Sequence, residues 1–298
     1  MKIGYIGLGK MGKNTVERLL ENDIEVVAYN RSPEAVQEVA EKGAIPTASY
    51  EDLFSNLGDE KRIVWLMVPH KAVDGVLEEV QSFLKEGDIV IDGGNSNFKE
   101  SVRRGTALKE KGIEYLDIGV SGGPGGARDG ACLMIGGEKE TYQKLEELFK
   151  AASAPECYQY LGKLGAGHFA KMVHNGIEYG MMQAIGEGME IIKKSDFEYK
   201  LEDVSRIYNC QSVIESRLVG WMLEGYKKYG EELEAISGEV QHSGEGQWTV
   251  ETAKEMGIEV PIIEGSLQFR KDSEGNPSYT GKVVSLLRNM FGGHDVKK

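Results

Sequence analysis

Lys171, Asn175 and Glu178 lie four and then three residues apart in the run Gly165-x-Gly167-x-x-x-Lys171-x-x-x-Asn175-x-x-Glu178-Tyr179. On a helix, at about 100° per residue, the three fall within roughly 60° of one another. One face then presents an amine, an amide and a carboxylate in a row, groups of the kind that carry proton-transfer chemistry. A merely solvated polar face would not need the two glycines at its entry, each costing about 1 kcal/mol against alanine in a helix interior. Met172, Ile177 and Met181 point elsewhere and can pack.

A second constellation opens the chain. Gly7-Leu8-Gly9-Lys10-Met11-Gly12 follows an apolar run and starts a helical pattern. The first glycine permits a tight turn, the second lets backbone approach a pyrophosphate, and the third lets helix pack on strand. The unpaired N–H groups at the helix start would face the phosphates. After the second strand stand Asn30, Arg31 and Ser32. An acidic residue there would favour NAD. A guanidinium and two neutral polar side chains can instead hold a 2′-phosphate, so NADP is favoured over NAD. Ser32-Pro33 also reads as an N-cap followed by proline at the first helical position. Two further glycine-rich clusters, Asp92-Gly93-Gly94-Asn95-Ser96 and Ser121-Gly122-Gly123-Pro124-Gly125-Gly126, follow strand candidates, where open α/β sheets bind ligands.

The elements that must position these groups alternate through the first half. Strand candidates are Lys2–Ile6, Glu25–Tyr29, Arg62–Val68, Asp88–Ile91, Tyr115–Val120 and Cys132–Ile135, with helical patterns between them such as Lys71–Leu84 and Phe98–Lys111. That alternation predicts a doubly wound parallel sheet of Rossmann type. From Gly165 onward no strand is evident. Ala166–Lys194 reads as one long helix, with others at Asp203–Arg217, Trp248–Glu255, Ile262–Lys271 and Gly281–Phe291. The expected organisation is α/β over residues 1–164, then an all-α domain over residues 165–298.

Composition excludes several classes. The 298 residues are 40% hydrophobic and 28% charged, as in an ordinary globular protein of two domains. No apolar run reaches the ~20 residues of a membrane span, and the N-terminus lacks a signal-peptide pattern, so a cytoplasmic location is expected. With 35 basic and 48 acidic residues the net charge is −13, the wrong sign for a nucleic-acid partner. Anionic ligands must therefore be met by local arginines and lysines. Cys132, Cys157 and Cys210 show no metal or redox spacing and are expected to be buried small hydrophobes. His168 and His174 would lie about 120° apart on the long helix, so no metal site is expected.

The chain resembles the 6-phosphogluconate dehydrogenases, within the β-hydroxyacid dehydrogenases, over nearly its whole length. The resemblance rests on Gly7–Gly12, residues 92–96, Ser121-Gly122-Gly123, the string from His168 to Gly180, and the tail Arg288-Asn289-Met290-Phe291-Gly292-Gly293-His294. It is with the short class, which lacks a duplicated helical domain. The resemblance implies NADP-dependent oxidative decarboxylation of 6-phosphogluconate to ribulose 5-phosphate and CO2, a reaction of the pentose phosphate pathway. Lys171 would be the general base and Glu178 the acid that protonates C1. Asn95, Ser121, Gly122, Gly123, His174 and Asn175 would orient the substrate, and Tyr179 and Arg270 would hold its phosphate. Met11, Val68 and Asn95 would lie by the cofactor, with Gly7, Leu8, Gly9, Gly12, Asn30, Arg31 and Ser32. Arg288 and His294 would reach in from a neighbouring subunit of a homo-oligomer, dimer or tetramer. Gln247 stands where the family usually has a lysine or arginine on the phosphate. The alternative is a non-decarboxylating relative such as a 3-hydroxyisobutyrate dehydrogenase, which would not need Glu178 or the Arg288–His294 pair.

Overall fold

The computed structural model describes residues 1–242 and 244–296, and its two compact units divide at Met172/Val173. The first unit contains β1 (Lys2–Ile6), α1 (Lys10–Glu21), β2 (Glu25–Tyr29), α2 (Pro33–Ala40), β3 (Ile45–Pro46), α3 (Tyr50–Leu57), β4 (Ile63–Leu66) and α4 (Val73–Val80). It continues through β5 (Ile89–Asp92), α5 (Phe98–Lys109), β6 (Glu114–Ser121), α6 (Gly123–Asp129), β7 (Ala131–Gly136), α7 (Lys139–Lys144), α8 (Glu146–Ala152) and β8 (Ser153–Gly162). The sheet runs β3-β2-β1-β4-β5-β6-β7-β8. The chain passes from β1 outward to β2 and β3, then returns to β4 on the other side. Such a switch point leaves a crevice at the strand C-termini.

Alternate strand residues feed cores on opposite faces. Ile3, Tyr5, Val26, Ala28 and Trp65 belong to one, and Ile6, Val27, Val64, Leu66 and Val90 to the other. Burial on both faces is why these strands read as near-continuous apolar runs. The sheet departs from the all-parallel expectation at β7, which pairs antiparallel to β6. The stretch from Gly122 to Gly130 is shorter than the dozen or so residues a parallel crossover needs, so the chain turns straight back. β8 went unanticipated because much of it is exposed and its sequence is polar; its pairing with β7 defines it.

The first turns of α9 (Ala166–Lys194) belong to the same unit and lie on β6 and β7. Glycines make the approach possible. A Cβ on Gly167 would meet the carbonyl oxygens of Asp117 and Met134 at 2.4 Å, and one on Gly119 would meet the Lys171 Cβ at 2.3 Å.

The second unit holds the rest of α9 with α10 (Leu201–Tyr208), α11 (Arg217–Tyr229), α12 (Glu245–Glu255), α13 (Pro261–Asp272) and α14 (Tyr279–Gly292). Its core joins Val283, Val284, Leu286 and Leu287 of α14 to Met222 and Tyr226 of α11. The helix expected over Asp203–Arg217 ends early, since α10 stops at Tyr208 and α11 starts only at Arg217. The chain leaves helix at Asn209 and re-enters where the Val219 amide donates to Ser216 Oγ at 3.2 Å. The three cysteines, expected inside, are all exposed. Cys132 sits at an outward position of β7, Cys157 on the edge strand and Cys210 just past α10, where small apolar side chains meet no demand for burial.

Gly167→Ala should destabilise the protein by about 1–3 kcal/mol, because two carbonyls block the added methyl. A urea midpoint equal to that of the parent would refute so close a seat for α9.

Candidate active site

The glycine loop has the form a dinucleotide requires. Gly7 has φ +104°, and a Cβ there would meet the Met67 carbonyl oxygen at 2.3 Å. A Cβ on Gly12 would fall 2.0 Å from the Gly7 carbonyl oxygen, so the third glycine lets α1 close on the turn. Gly9, at the N-cap, faces open space and offers no side chain to cap the helix. The first-turn amides are thus left to a phosphate, and the residues present fit the pyrophosphate of a nicotinamide dinucleotide. Asn30 fixes this loop from β2: its Oδ1 accepts from Leu8 N–H at 3.0 Å, and its Nδ2 donates to the Ser32 carbonyl at 3.2 Å. Ser32 occupies the N-cap of α2 without a side-chain capping bond, and Arg31 is exposed. Met11 packs part-buried on the core, and Val68 Cγ1 lies where a Gly7 side chain would have to go.

The two later clusters are tied to each other. Asp92 is fully buried and accepts from Ser96 Oγ and Tyr115 Oη, each at 2.7 Å, and from Gly94 N–H at 3.0 Å. This holds a loop in which Asn95 adopts φ +52°. From there the Asn95 carboxamide bonds the Val120 backbone in both directions, accepting at 3.1 Å and donating at 3.4 Å. Asn95 is thereby held next to Ser121, Gly122 and Gly123. Asn14 of α1 donates to the Pro124 carbonyl at 2.9 Å and ties the same cluster to the cofactor helix.

α9 begins on a buried carboxylate. Asp117 of β6 is 0% exposed, and its two oxygens accept from Gly165 N–H and His168 N–H, each at 2.7 Å. His168 Nδ1 pairs with Ser101 Oγ at 2.7 Å. One turn further on, Lys171 is buried, with its Cβ against Gly119. α9 is unbroken to Lys194, so Asn175 and Glu178 keep their spacing from Lys171. His174 Nδ1 lies 2.9 Å from Asn175 Oδ1 and 3.8 Å from Glu178 Oε2. Of the apolar residues expected to pack, Met172 is buried, whereas Ile177 and Met181 are exposed.

In the second unit, the Arg270 guanidinium lies 3.3 Å from the centroid of the Tyr179 ring. Gly246 makes room, since a Cβ there would strike that ring at 2.4 Å. Arg270 is 3% exposed, and its Nη2 is buried without a hydrogen-bond partner. Burial, together with the neighbouring Arg288, brings it down to about 10, still charged at neutral pH, while Tyr179 and Glu178 act the other way. Arg288 of α14 is also buried and, chiefly for that reason, held below its ordinary value, with Tyr179, Glu178 and Glu245 nearby. A cavity of about 450 Å³ is lined by both arginines.

Arg288 lies near Tyr179 within the chain itself. His294 closes α14: its carbonyl accepts from Asn289 Nδ2 at 2.7 Å, and its ring meets Phe291 edge-on. Gln247 donates to Glu251 Oε1 at 2.8 Å within α12, and among the described residues it does not line the cavity. Sequence reasoning missed Asp117, Asn14 and Ser101, whose partners lie far along the chain; an aspartate inside an apolar strand was the available signal for the first.

Residues 2–162 match the family described as the NAD binding domain of 6-phosphogluconate dehydrogenase, and residues 167–295 match the 6-phosphogluconate dehydrogenase C-terminal domain. The chain is 47% identical to YqeC of Bacillus subtilis over 298 residues, 100% of both chains. It is 42% identical over 300 residues to the NAD(+)-dependent, decarboxylating 6-phosphogluconate dehydrogenase of Haloferax volcanii, covering 100% of this chain and 99% of that one. The solved structure of Plasmodium falciparum 6-phosphogluconate dehydrogenase, described with NADP+ and with 6-phosphogluconate, aligns with a TM-score of 0.82 at 31% identity. It covers 98% of this chain and 70% of that one. Other curated relatives are longer, and the chain spans 58% to 60% of their length.

Asp117→Ala should cost about 2–4 kcal/mol, since two buried amides lose a charged acceptor. Asp117→Asn, which keeps one acceptor oxygen, should cost less in the same thermal melt. Equal losses would assign the effect to packing rather than to the carboxylate.

Proposed function

Because the chain belongs to the 6-phosphogluconate dehydrogenase family, we propose that it oxidises and decarboxylates 6-phosphogluconate to ribulose 5-phosphate and CO2, with NADP preferred over NAD. The observation that carries the substrate reading is Arg270, a buried guanidinium with an unpartnered Nη2 in a cavity shared with Arg288. Burying such charge is costly unless an anion completes it, and a phosphomonoester supplies both charge and acceptors.

The bound nicotinamide supplies the acceptor for the hydride from C3. Lys171, entering as the neutral amine, takes the proton of the 3-hydroxyl. The 3-keto acid so formed is a β-keto acid and releases its carboxylate as CO2, with the Lys171 ammonium stabilising the enolate oxygen. Glu178 then gives a proton to C1 of the enediol. Base and acid sit two helical turns apart, roughly 10 Å along the axis, so each can serve a different carbon. Asn95, Ser121, Gly122, Gly123, His174 and Asn175 orient the carboxylate and hydroxyls, and Tyr179, Arg270 and Arg288 take the phosphate. Exposed Ile177, Met181, Ile191, Phe197, Tyr199 and Ile262 support a homo-oligomer, because so much apolar surface on one unit is unusual for a monomer.

The cofactor preference rests on Asn30, Arg31 and Ser32. Asn30 is engaged with Leu8 and Ser32, while the exposed Arg31 and the Ser32 hydroxyl can meet a 2′-phosphate.

Nicotinamide reduction with 6-phosphogluconate, with NADP and NAD in parallel and CO2 trapped, should give equal amounts of reduced cofactor and CO2. Reduction without CO2 would move the chain to the non-decarboxylating relatives. Lys171→Ala should lower kcat by about 100- to 10000-fold; near-full turnover would remove it as the base. Asn30→Asp combined with Arg31→Ser should shift preference toward NAD. The aspartate still accepts from Leu8 N–H but gives up the bond to the Ser32 carbonyl, and an unaltered NADP/NAD ratio would refute this cofactor assignment.

A further inference from the structure

The second unit gathers more positive charge around its cavity than the two arginines assigned above. His242 and Lys271 share its lining with Arg270 and Arg288. His242 stands exposed in the segment between α11 and α12, whereas Arg270 and Arg288 are 3% and 9% exposed. The lining thus combines two buried guanidiniums with an exposed, titratable imidazole. Gln247, committed to Glu251 within α12, adds nothing to it.

The groups facing His242 come from several elements. Lys271 and Arg270 of α13 and Arg288 of α14 oppose its protonation, after burial itself, and together these push the imidazole below its ordinary value. Glu245 of α12 acts the other way. Glu239, Glu274 and Asp295 also line the cavity, and Glu239 Oε1 accepts from Gly275 N–H at 3.1 Å. Partial burial leads and the cations add to it, which favours a neutral imidazole while the cavity holds no anion.

Resting on the reading that this cavity takes the substrate phosphate, we propose that His242, supported by Lys271, is a further specificity-determining residue of the site, binding the phosphomonoester dianion as imidazolium and taking up a proton as the dianion arrives. A dianion reverses the local field, so protonation that three cations disfavour becomes favourable. The sign of the linkage follows: the bound state holds more protons than the free state, so affinity rises as pH falls. The effect begins below the bound-state titration of His242 and is complete below the free-state one. The second ionisation of a phosphomonoester, near pH 6, works against it at the acid end. The chemistry selects a dianionic terminal group over a neutral or singly charged one.

Sulfate tests this cleanly, because it stays a dianion across the range and requires no turnover. Sulfate binding to the full-length protein is measured by calorimetry at about pH 6.5 and pH 8.5, in two buffers of different ionisation enthalpy, for the parent, His242→Asn and Lys271→Met. The parent should bind about three- to tenfold more tightly at the lower pH, with net proton uptake. His242→Asn should lose both the pH dependence and the uptake, and Lys271→Met should weaken binding at both pH values. A parent without pH dependence, or a His242→Asn variant that retains it, overturns the proposal. The KM for 6-phosphogluconate should follow the same pH trend. A parent that binds sulfate in this way but fails to turn over 6-phosphogluconate would refute the substrate reading and leave the role of His242 standing.

Discussion

A carboxylate with no access to water fixes where the helix that carries Lys171, Asn175 and Glu178 begins. Asp117 accepts the Gly165 and His168 amides, which a helix start otherwise leaves unsatisfied, and it does so from the middle of the sheet. The first turn of α9 is thereby bound to β6 rather than merely packed on it. Gly119 and Gly167 remove the methyl groups that would lift the helix away, and Gly136 does the same for β7, where a Cβ would meet Asp117 Oδ1 at 2.6 Å. Lys171 follows one turn later and inherits its position from this cap. A charged acceptor suits the task, because neutral caps give weaker bonds and complement the helix dipole less.

Asparagines perform a related service for the loops. A glycine-rich turn can approach a ligand closely but has few side chains with which to hold its own shape. Asn30 holds the cofactor turn, Asn95 holds the Val120 backbone, and Asn14 holds the Pro124 carbonyl. A carboxamide can both donate and accept, so it can bridge backbone groups without adding charge beside anionic ligands.

Buried arginines in this chain fall into two kinds. Arg62 meets Asp88 at 2.6 Å and the Phe83 carbonyl, and Arg104 meets Asp74 at 2.9 Å. The Arg104 guanidinium, helped by Arg103, holds the Asp74 carboxyl down at about 2, so these contacts persist through the physiological range. Such arginines are satisfied within the fold. Arg270 is not, and it lines a cavity with Arg288, Lys271 and His242 in a chain whose net charge is −13. Satisfaction of the guanidinium, rather than burial alone, separates a structural arginine from one awaiting a ligand.

Local pattern was enough for features that repeat along the chain. β1 and β2 begin and end where their apolar runs do, and α9 spans the residues its periodicity marked. The glycine spacing marked the dinucleotide turn, and the His168–Gly180 string marked the helix that carries Lys171, Asn175 and Glu178, because each is a short-range arrangement written in consecutive residues. Contacts between distant residues left no such trace. The reversal of β7, the strand character of β8, the capping of α9 by Asp117 and the meeting of His242 with Arg270 and Arg288 each depend on groups brought together only when the chain folds. A hydrogen bond or a shared cavity between residues far apart in sequence has no period, so only the tertiary structure decides it.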